Sequence, residues 1–174
     1  MMVGISSRQT GMVLLTSLVL LLLLSLIGLS SMQGAVTQQK IAGSLWHRNQ
    51  SFQSAESGLR LGERAVQQMG AVMPLCRSII HCAPPGEAFS VLGAGAHPVS
   101  AVSWVALKAG LYGVQSLGVG TGLVHLPPHS SAALFRVTAV GLSGQSRTVL
   151  ETVYARVEEQ GCSRFQRVAW RQLQ

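Results

Sequence analysis

The chain has 174 residues, of which 48% are hydrophobic and only 11% charged, and its formal net charge is +7. This length suits one modest domain with a membrane anchor and excludes two full-sized domains. The basic side chains are scattered, with one loose group near the C-terminus: Arg156, Arg164, Arg167 and Arg171. The charge therefore indicates a solvated basic tail, or a surface that meets an acidic neighbour subunit, rather than a specific nucleic-acid site.

The first feature along the chain is a short polar segment followed by a long apolar one. Residues 1–11 carry a single charge, Arg8, whereas residues 12–29 are almost wholly apolar. This run approaches the roughly 20 residues that a helix needs to cross a bilayer. A secretory signal peptide would have a shorter apolar region and a small-residue cleavage site, for which Gly34-Ala35 is a weak candidate. We therefore predict a retained, single-pass transmembrane helix over residues 12–35.

The helical pattern continues over residues 36–70, with apolar side chains on one face. These side chains recur every three, four or seven positions: Ile41, Leu45, Phe52, Ala55, Leu59, Gly62, Val66 and Met69. Such spacing predicts an amphipathic helix that packs on a core. The pattern is compatible with one unbroken helix. It is also compatible with two helices that meet near Gly34 or Gly43.

The rest of the chain, residues 71–174, predicts a globular domain rich in strands. Frequent proline and glycine over 71–98 indicate an irregular loop, and apolar, β-rich runs follow it. Residues 134–140 and 147–157 alternate between apolar and polar on either side of a glycine- and serine-rich turn, which predicts a β-hairpin. The predicted fold class is therefore α+β, with a long N-terminal transmembrane and amphipathic helix packed on a small antiparallel β-sheet.

The three cysteines, Cys76, Cys82 and Cys162, predict a disulfide if the domain lies outside the inner membrane. Cys76 and Cys82 are close in sequence and form the favoured pair, although Cys162 could compete for either partner. Closing so short a loop stabilises the fold by about 2 kcal/mol in the chain-entropy model. The disulfide would then fix a local loop rather than the whole domain.

No catalytic or metal-binding pattern stands out among the polar residues. Cys76, His81 and Cys82 could ligate zinc, but five residues between the cysteines is not a usual zinc spacing. The glutamates show no paired motif of the kind that hydrolases use, and the glycines do not follow the spacing of a phosphate-binding loop. We predict a protein that is not an enzyme and that binds no cofactor or metal.

The residues around Gly11 resemble the leader of a type III prepilin. Residues 8–11, with the sequence Arg-Gln-Thr-Gly, lead directly into the apolar run that starts at Met12. In that family a prepilin peptidase cuts after the glycine on the cytoplasmic side and methylates the new N-terminus. The resemblance implies that residues 1–11 are a leader peptide and that Gly11 and Met12 are the processing site.

Residues 40–60 resemble the N-terminal region of PilX-type minor pilins. In that family an Ala-Gly pair precedes a signature similar to Phe-Gln-Ala-Ala-Glu, and here these are Ala42-Gly43 and residues 52–56. The resemblance covers residues 8–64 closely and residues 132–156 loosely. It implies a pilin-like fold and a structural subunit of a type IV pilus, used for twitching or adhesion.

One position departs from the pattern of the major pilins. Most of them have a glutamate five residues into the mature chain, where this sequence has Thr16. A carboxylate in a membrane is costly without a cationic partner. In the family that partner is the N-terminal amine of the subunit assembled before. Thr16 therefore implies a subunit that primes assembly at or near the pilus tip and offers its Met12 amine to the next subunit.

The resemblance also implies partners and a location. The partners are other minor pilins, the major pilin, the inner-membrane assembly platform, the prepilin peptidase and, as a further candidate, a tip adhesin. The chain would cross the bacterial inner membrane once, with its C-terminal domain in the periplasm, and enter the pilus after assembly. Nucleic acid is disfavoured as a partner, because two tyrosines and three tryptophans are not interleaved with the arginines.

Two other functions remain open from the sequence. A pseudopilin of a type II secretion machine has the same leader and helix, although the subunit of that machine without the glutamate is usually much larger. The second is a single-pass membrane protein whose periplasmic domain binds a ligand or DNA. Cleavage after Gly11 separates the pilin-like functions from this last one.

Overall fold

The computed structural model describes residues 10–69, 73–123, 131–159 and 162–173. Nine predicted leader residues, 1–9, lie outside the described part of the chain. The helices are α1 (Thr10–Met69), α2 (Ile79–Cys82) and the 3₁₀ helix η1 (Gly86–Phe89). The strands are β1 (Gly95–Ala96), β2 (Ser103–Leu107), β3 (Gly110–Thr121), β4 (Ser131–Ser143), β5 (Ser146–Glu159) and β6 (Cys162–Leu173).

The chain divides into two compact units between Ser44 and Leu45, so that α1 contributes to both. In the first unit the residues from 11 to 44 are helical and exposed. An 18-residue stretch of α1 is long and apolar enough to cross a membrane, judged by length and composition. The Ser17 hydroxyl in this stretch is satisfied by its own helix, because it donates a hydrogen bond to the Leu14 carbonyl at 2.9 Å.

The second unit contains a six-stranded sheet in which the strands follow each other in chain order. Every neighbouring pair is antiparallel. The α+β class predicted from the sequence is therefore confirmed. β4 and β5 form the predicted hairpin, which is longer than the sequence pattern suggests. Its turn closes at the pair Ser143–Ser146 and includes Gly144 at a φ of 54°, a backbone conformation that favours glycine.

From Ser51 onwards, α1 packs against one face of the sheet. Ala55, Leu59 and Val66 on the helix join Phe135, Val137, Ala139, Leu150 and Tyr154 on the strands in one buried cluster. The predicted apolar stripe is thus buried only in part. Ile41 and Leu45 are 55% and 52% exposed, and Ile41 belongs to the first unit.

The opposite face of the sheet is covered by residues 86–102, which the sequence predicted as loop and the start of a strand. The structure corrects this prediction, because the segment contains η1 and β1 and β2 begins only at Ser103. Its packing residues join the sheet in a second buried cluster, which comprises Ala88, Val102, Trp104, Leu111, Val140 and Val149. Glu87 accepts hydrogen bonds from Ser100 and from the Trp104 indole, the latter at 3.4 Å, and this ties the segment together.

The C-terminal residues require a second correction. The sequence predicted a solvated basic tail, whereas residues 162–173 form β6, which pairs with β5 from Glu159–Cys162 to Val149–Leu173. None of the twelve residues of β6 is buried. The strand lacks a buried face, so it leaves no clear apolar alternation in the sequence, and its arginines read as a solvent-exposed tail.

Candidate assembly site

The predicted processing residues lie in the first turns of α1. Gly11 and Met12 are both exposed, and Met12 is 71% exposed. A Cβ atom added at Gly11 would meet nothing within 4 Å, so packing within this chain does not require glycine there. The Gly11–Met12 bond lies at the start of the apolar run.

Thr16 lies one helical turn after Met12 and needs no partner from another chain. Its hydroxyl reaches the carbonyl oxygens of Met12 and Val13, both at 3.0 Å. A threonine hydroxyl bonded in this way is tolerated in hydrocarbon, because its polar atoms are satisfied by its own helix. A carboxylate at the same position in a membrane would require a cationic partner.

The structure joins Cys76 and Cys82 by a disulfide, with their Cα atoms 5.3 Å apart, and leaves Cys162 free and exposed. The closed loop is held on the sheet at three points. The Cys76 amide donates to the Ser116 carbonyl at 3.0 Å, and the Gln115 side chain donates to the His81 carbonyl at 2.6 Å. The disulfide loop is therefore anchored to β3, and Arg136 adds a bond from β4 to the Cys82 carbonyl at 2.5 Å.

A charge cluster around the buried Glu151, completed by Arg136 and the half-exposed Arg171, was not predicted from the sequence. Glu151 is 3% exposed, and its two carboxylate oxygens lie 3.2 Å from Arg136 Nε and 2.9 Å from Arg171 Nη2. The contact with Arg136 Nε is an ion pair without hydrogen-bond geometry, whereas Arg171 Nε also donates to Glu151 at 2.9 Å. Burial lowers the pKa of Arg136, and the charge of Glu151 opposes that shift.

The sequence signal for this cluster was a charged residue in the middle of each of two largely apolar strands. Arg136 and Glu151 interrupt neighbouring strands of the hairpin, where Thr138 is directly opposite Glu151. The two charged residues are therefore diagonal neighbours, and opposite charges at that spacing attract each other. The contribution of Arg171 could not be found in this way, because it depends on β6.

A second polar network connects α1 with β5 and β6. The buried Tyr154 hydroxyl donates to Glu63 Oε2 at 3.1 Å and accepts a hydrogen bond from Arg167 Nη2 at 3.0 Å. Arg167 also lies 3.9 Å from the Glu63 carboxylate. Burial raises the pKa of Tyr154, so its hydroxyl stays protonated and available as a donor at neutral pH. This network fixes the end of the helix to the last strands of the sheet.

The polar clusters within the described residues make contacts between elements of the fold. Within the described ranges, no group of three or more His, Cys, Asp and Glu side chains is placed to hold a metal ion. The charged clusters around Glu151 and Tyr154 join neighbouring elements of the fold, and their groups are paired with each other. The features that point outwards are the apolar surface of α1 and the exposed strand β6.

Comparison with known families gives one match. Residues 10–60 match the family model described as PilX N-terminal. This segment includes Gly11, Met12 and Thr16, together with the Ala42-Gly43 pair, and it covers less than a third of the chain. No curated protein matches the chain, and no solved structure matches it.

Proposed function

We propose that this protein, whose residues 10–60 match the PilX N-terminal family, is a minor pilin that primes assembly of a type IV pilus and remains near its tip. The family itself suggests a minor pilin, and the long apolar helix followed by an antiparallel sheet is a pilin-like arrangement. Thr16 is the observation that supports the finer role in priming and at the tip.

An unpaired charge in the membrane is costly, and this cost favours a terminal position for a subunit without the glutamate. A carboxylate at the centre of a membrane helix costs about 2.5–3.5 kcal/mol on insertion scales unless a cation neutralises it. The first subunit of a filament has no earlier subunit to supply that cation. Thr16 avoids the cost, because its hydroxyl bonds to its own helix at Met12 and Val13.

The same subunit can still recruit the next one. Cleavage after Gly11 would leave a free amine on Met12, at the start of the apolar run. A following subunit that carries the glutamate would pair its carboxylate with this amine. Contact between apolar helices would then replace contact with lipid, so insertion and extraction remain close in free energy.

Replacing Thr16 by Glu tests the terminal position. We expect the number of pili per cell to fall at least tenfold, because the new carboxylate has no earlier amine to neutralise it. The measurement is a count of pili by electron microscopy in cells whose only copy carries the substitution. Thr16→Val is the matched control, since it keeps the shape, removes the hydroxyl and should leave the count unchanged. Normal piliation with Thr16→Glu would show that another subunit precedes this one.

The remaining alternatives predict different losses in a deletion strain. A pilin that primes assembly is required for surface pili and for twitching or adhesion, whereas a type II pseudopilin is required for protein secretion. Deletion of a single-pass ligand- or DNA-binding protein would leave the pili intact, and such a protein would not be cleaved after Gly11.

We propose the inner membrane, with the sheet-containing domain in the periplasm, as the location before assembly.

A further inference from the structure

Strand β6 is a long edge of the sheet. It is last in the strand order and pairs with β5 alone among the strands that the structure describes. A twelve-residue edge presents about six residues whose backbone N–H and C=O groups face away from β5. At the opposite edge of the sheet the outermost strand, β1, has only two residues, which pair with Ser103 and Trp104 at the start of β2.

The edge is interrupted at one point. Arg167 pairs with Tyr154 and Ala169 with Val153, so Val168 is an extra residue between them. A bulge of this kind bends an edge and limits pairing across it. It divides the edge into two regular segments, residues 162–167 and residues 169–173, of which the second carries the exposed Trp170.

The side chains of β6 indicate which kind of strand would fit there. The strand carries three arginines and no acidic residue: Arg164, Arg167 and Arg171. Arg167 and Arg171 remain about half exposed although each contacts a glutamate. Trp170 is 45% exposed, and exposed tryptophan beside arginine is typical of the residues that dominate binding at interfaces.

A second copy of this chain fits the edge poorly. Two β6 strands that pair antiparallel about their midpoint would place Arg164 of one copy opposite Arg171 of the other, since the midpoint lies between Arg167 and Val168. Like charges directly opposite each other destabilise a sheet. The arginines therefore oppose self-association and favour a strand of opposite charge.

We propose that the free edge of β6 binds an extended acidic segment of a different pilus subunit, which adds to the sheet as a seventh strand beside Ala169–Leu173. Backbone hydrogen bonds along the edge would supply affinity, and the arginines would select an acidic sequence. The inference deepens the proposed function, because it rests on the presence of other pilus subunits.

Photocrosslinking in the native cells tests this proposal. The full-length protein carries benzoylphenylalanine at position 170, at the exposed α1 position 60, or at position 18 in the apolar run. Crosslinked peptides are identified by mass spectrometry. We expect position 170, and not position 60, to crosslink to an extended acidic segment of another subunit. Gln172→Glu, which adds a negative charge within residues 169–173, should reduce that yield at least fivefold, whereas Gln67→Glu, an equal change of charge on α1, should not.

The outcomes separate this inference from the proposed function. Crosslinks from position 18 to other pilins report membership of the filament, independently of β6. If position 18 gives such products while position 170 gives none above position 60, the edge proposal is wrong and the pilin function stands. A product at position 170 with a second copy of this chain, with nucleic acid or with a segment that is not acidic overturns the proposal as well.

Discussion

Replacing Glu151 by Gln is expected to lower the free energy of unfolding by about 3–5 kcal/mol. The substitution preserves the shape of the side chain and removes its charge. Arg136 then keeps its buried guanidinium without the carboxylate that lies 3.2 Å from it, and Arg171 loses its partner at 2.9 Å. A buried charge without a partner lowers the free energy of unfolding by more than the intact ion pair raises it.

Urea denaturation of the full-length protein in detergent measures this effect, followed by tryptophan fluorescence because Trp104 is buried. Glu158→Gln is the matched control. Glu158 pairs with Arg156 but is 68% exposed, so its loss should cost less than about 1 kcal/mol. A loss below 1 kcal/mol for Glu151→Gln would mean that the cluster is hydrated and that our description of it is wrong.

Replacing Gly141 by Ala should destabilise the second unit by about 3 kcal/mol. A Cβ atom at this position would overlap the Ser51 carbonyl oxygen and lie 2.6 Å from the Ala55 amide nitrogen. Both are backbone atoms of α1, so no side-chain rotation can relieve the overlap. The helix would have to move away from the sheet, and its buried contacts at Ala55 and Leu59 would weaken.

Gly93→Ala provides the comparison for Gly141→Ala in the same denaturation experiment. An added Cβ at Gly93 meets nothing within 4 Å, so the free energy of unfolding should change by no more than about 0.5 kcal/mol. Equal effects at the two glycines would contradict the close approach of α1 to β4. A large effect at Gly141 alone supports it.

The sequence predicted those elements of the fold whose buried residues recur at a regular spacing. The stripe through Ala55, Leu59 and Val66 has the spacing of a helix, and the alternation in β4 and β5 has that of strands, because each buries one face. Both signals are local. They identify an element without the need to know what covers it.

The remaining elements depend on contacts between distant residues. The segment around η1 is held by Glu87, which accepts bonds from Ser100 and Trp104, thirteen and seventeen residues further on. β6 has no buried residue and is defined by its pairing with β5. Neither relation produces a periodic pattern in the sequence, and so a loop and a basic tail were predicted in their place.

The functional residues show the same difference between local signals and contacts of distant residues. Gly11, Met12 and Thr16 could be identified because they follow one another within a recognisable motif. Their roles in cleavage and priming remain predictions that need measurement. The complete clusters around Glu151 and Tyr154 could not be identified, because each joins residues from three separate elements and depends on the pairing of β6.

The central claim, that this chain enters a pilus through the prepilin pathway, is tested most directly at its N-terminus. The measurement is the intact mass and N-terminal sequence of the protein purified from its own membranes, beside the Gly11→Val variant. We predict a mature chain that begins at N-methylated Met12 in the unaltered protein and an uncleaved chain in the variant. A protein that begins at Met1 or near Val36 in both would contradict the account.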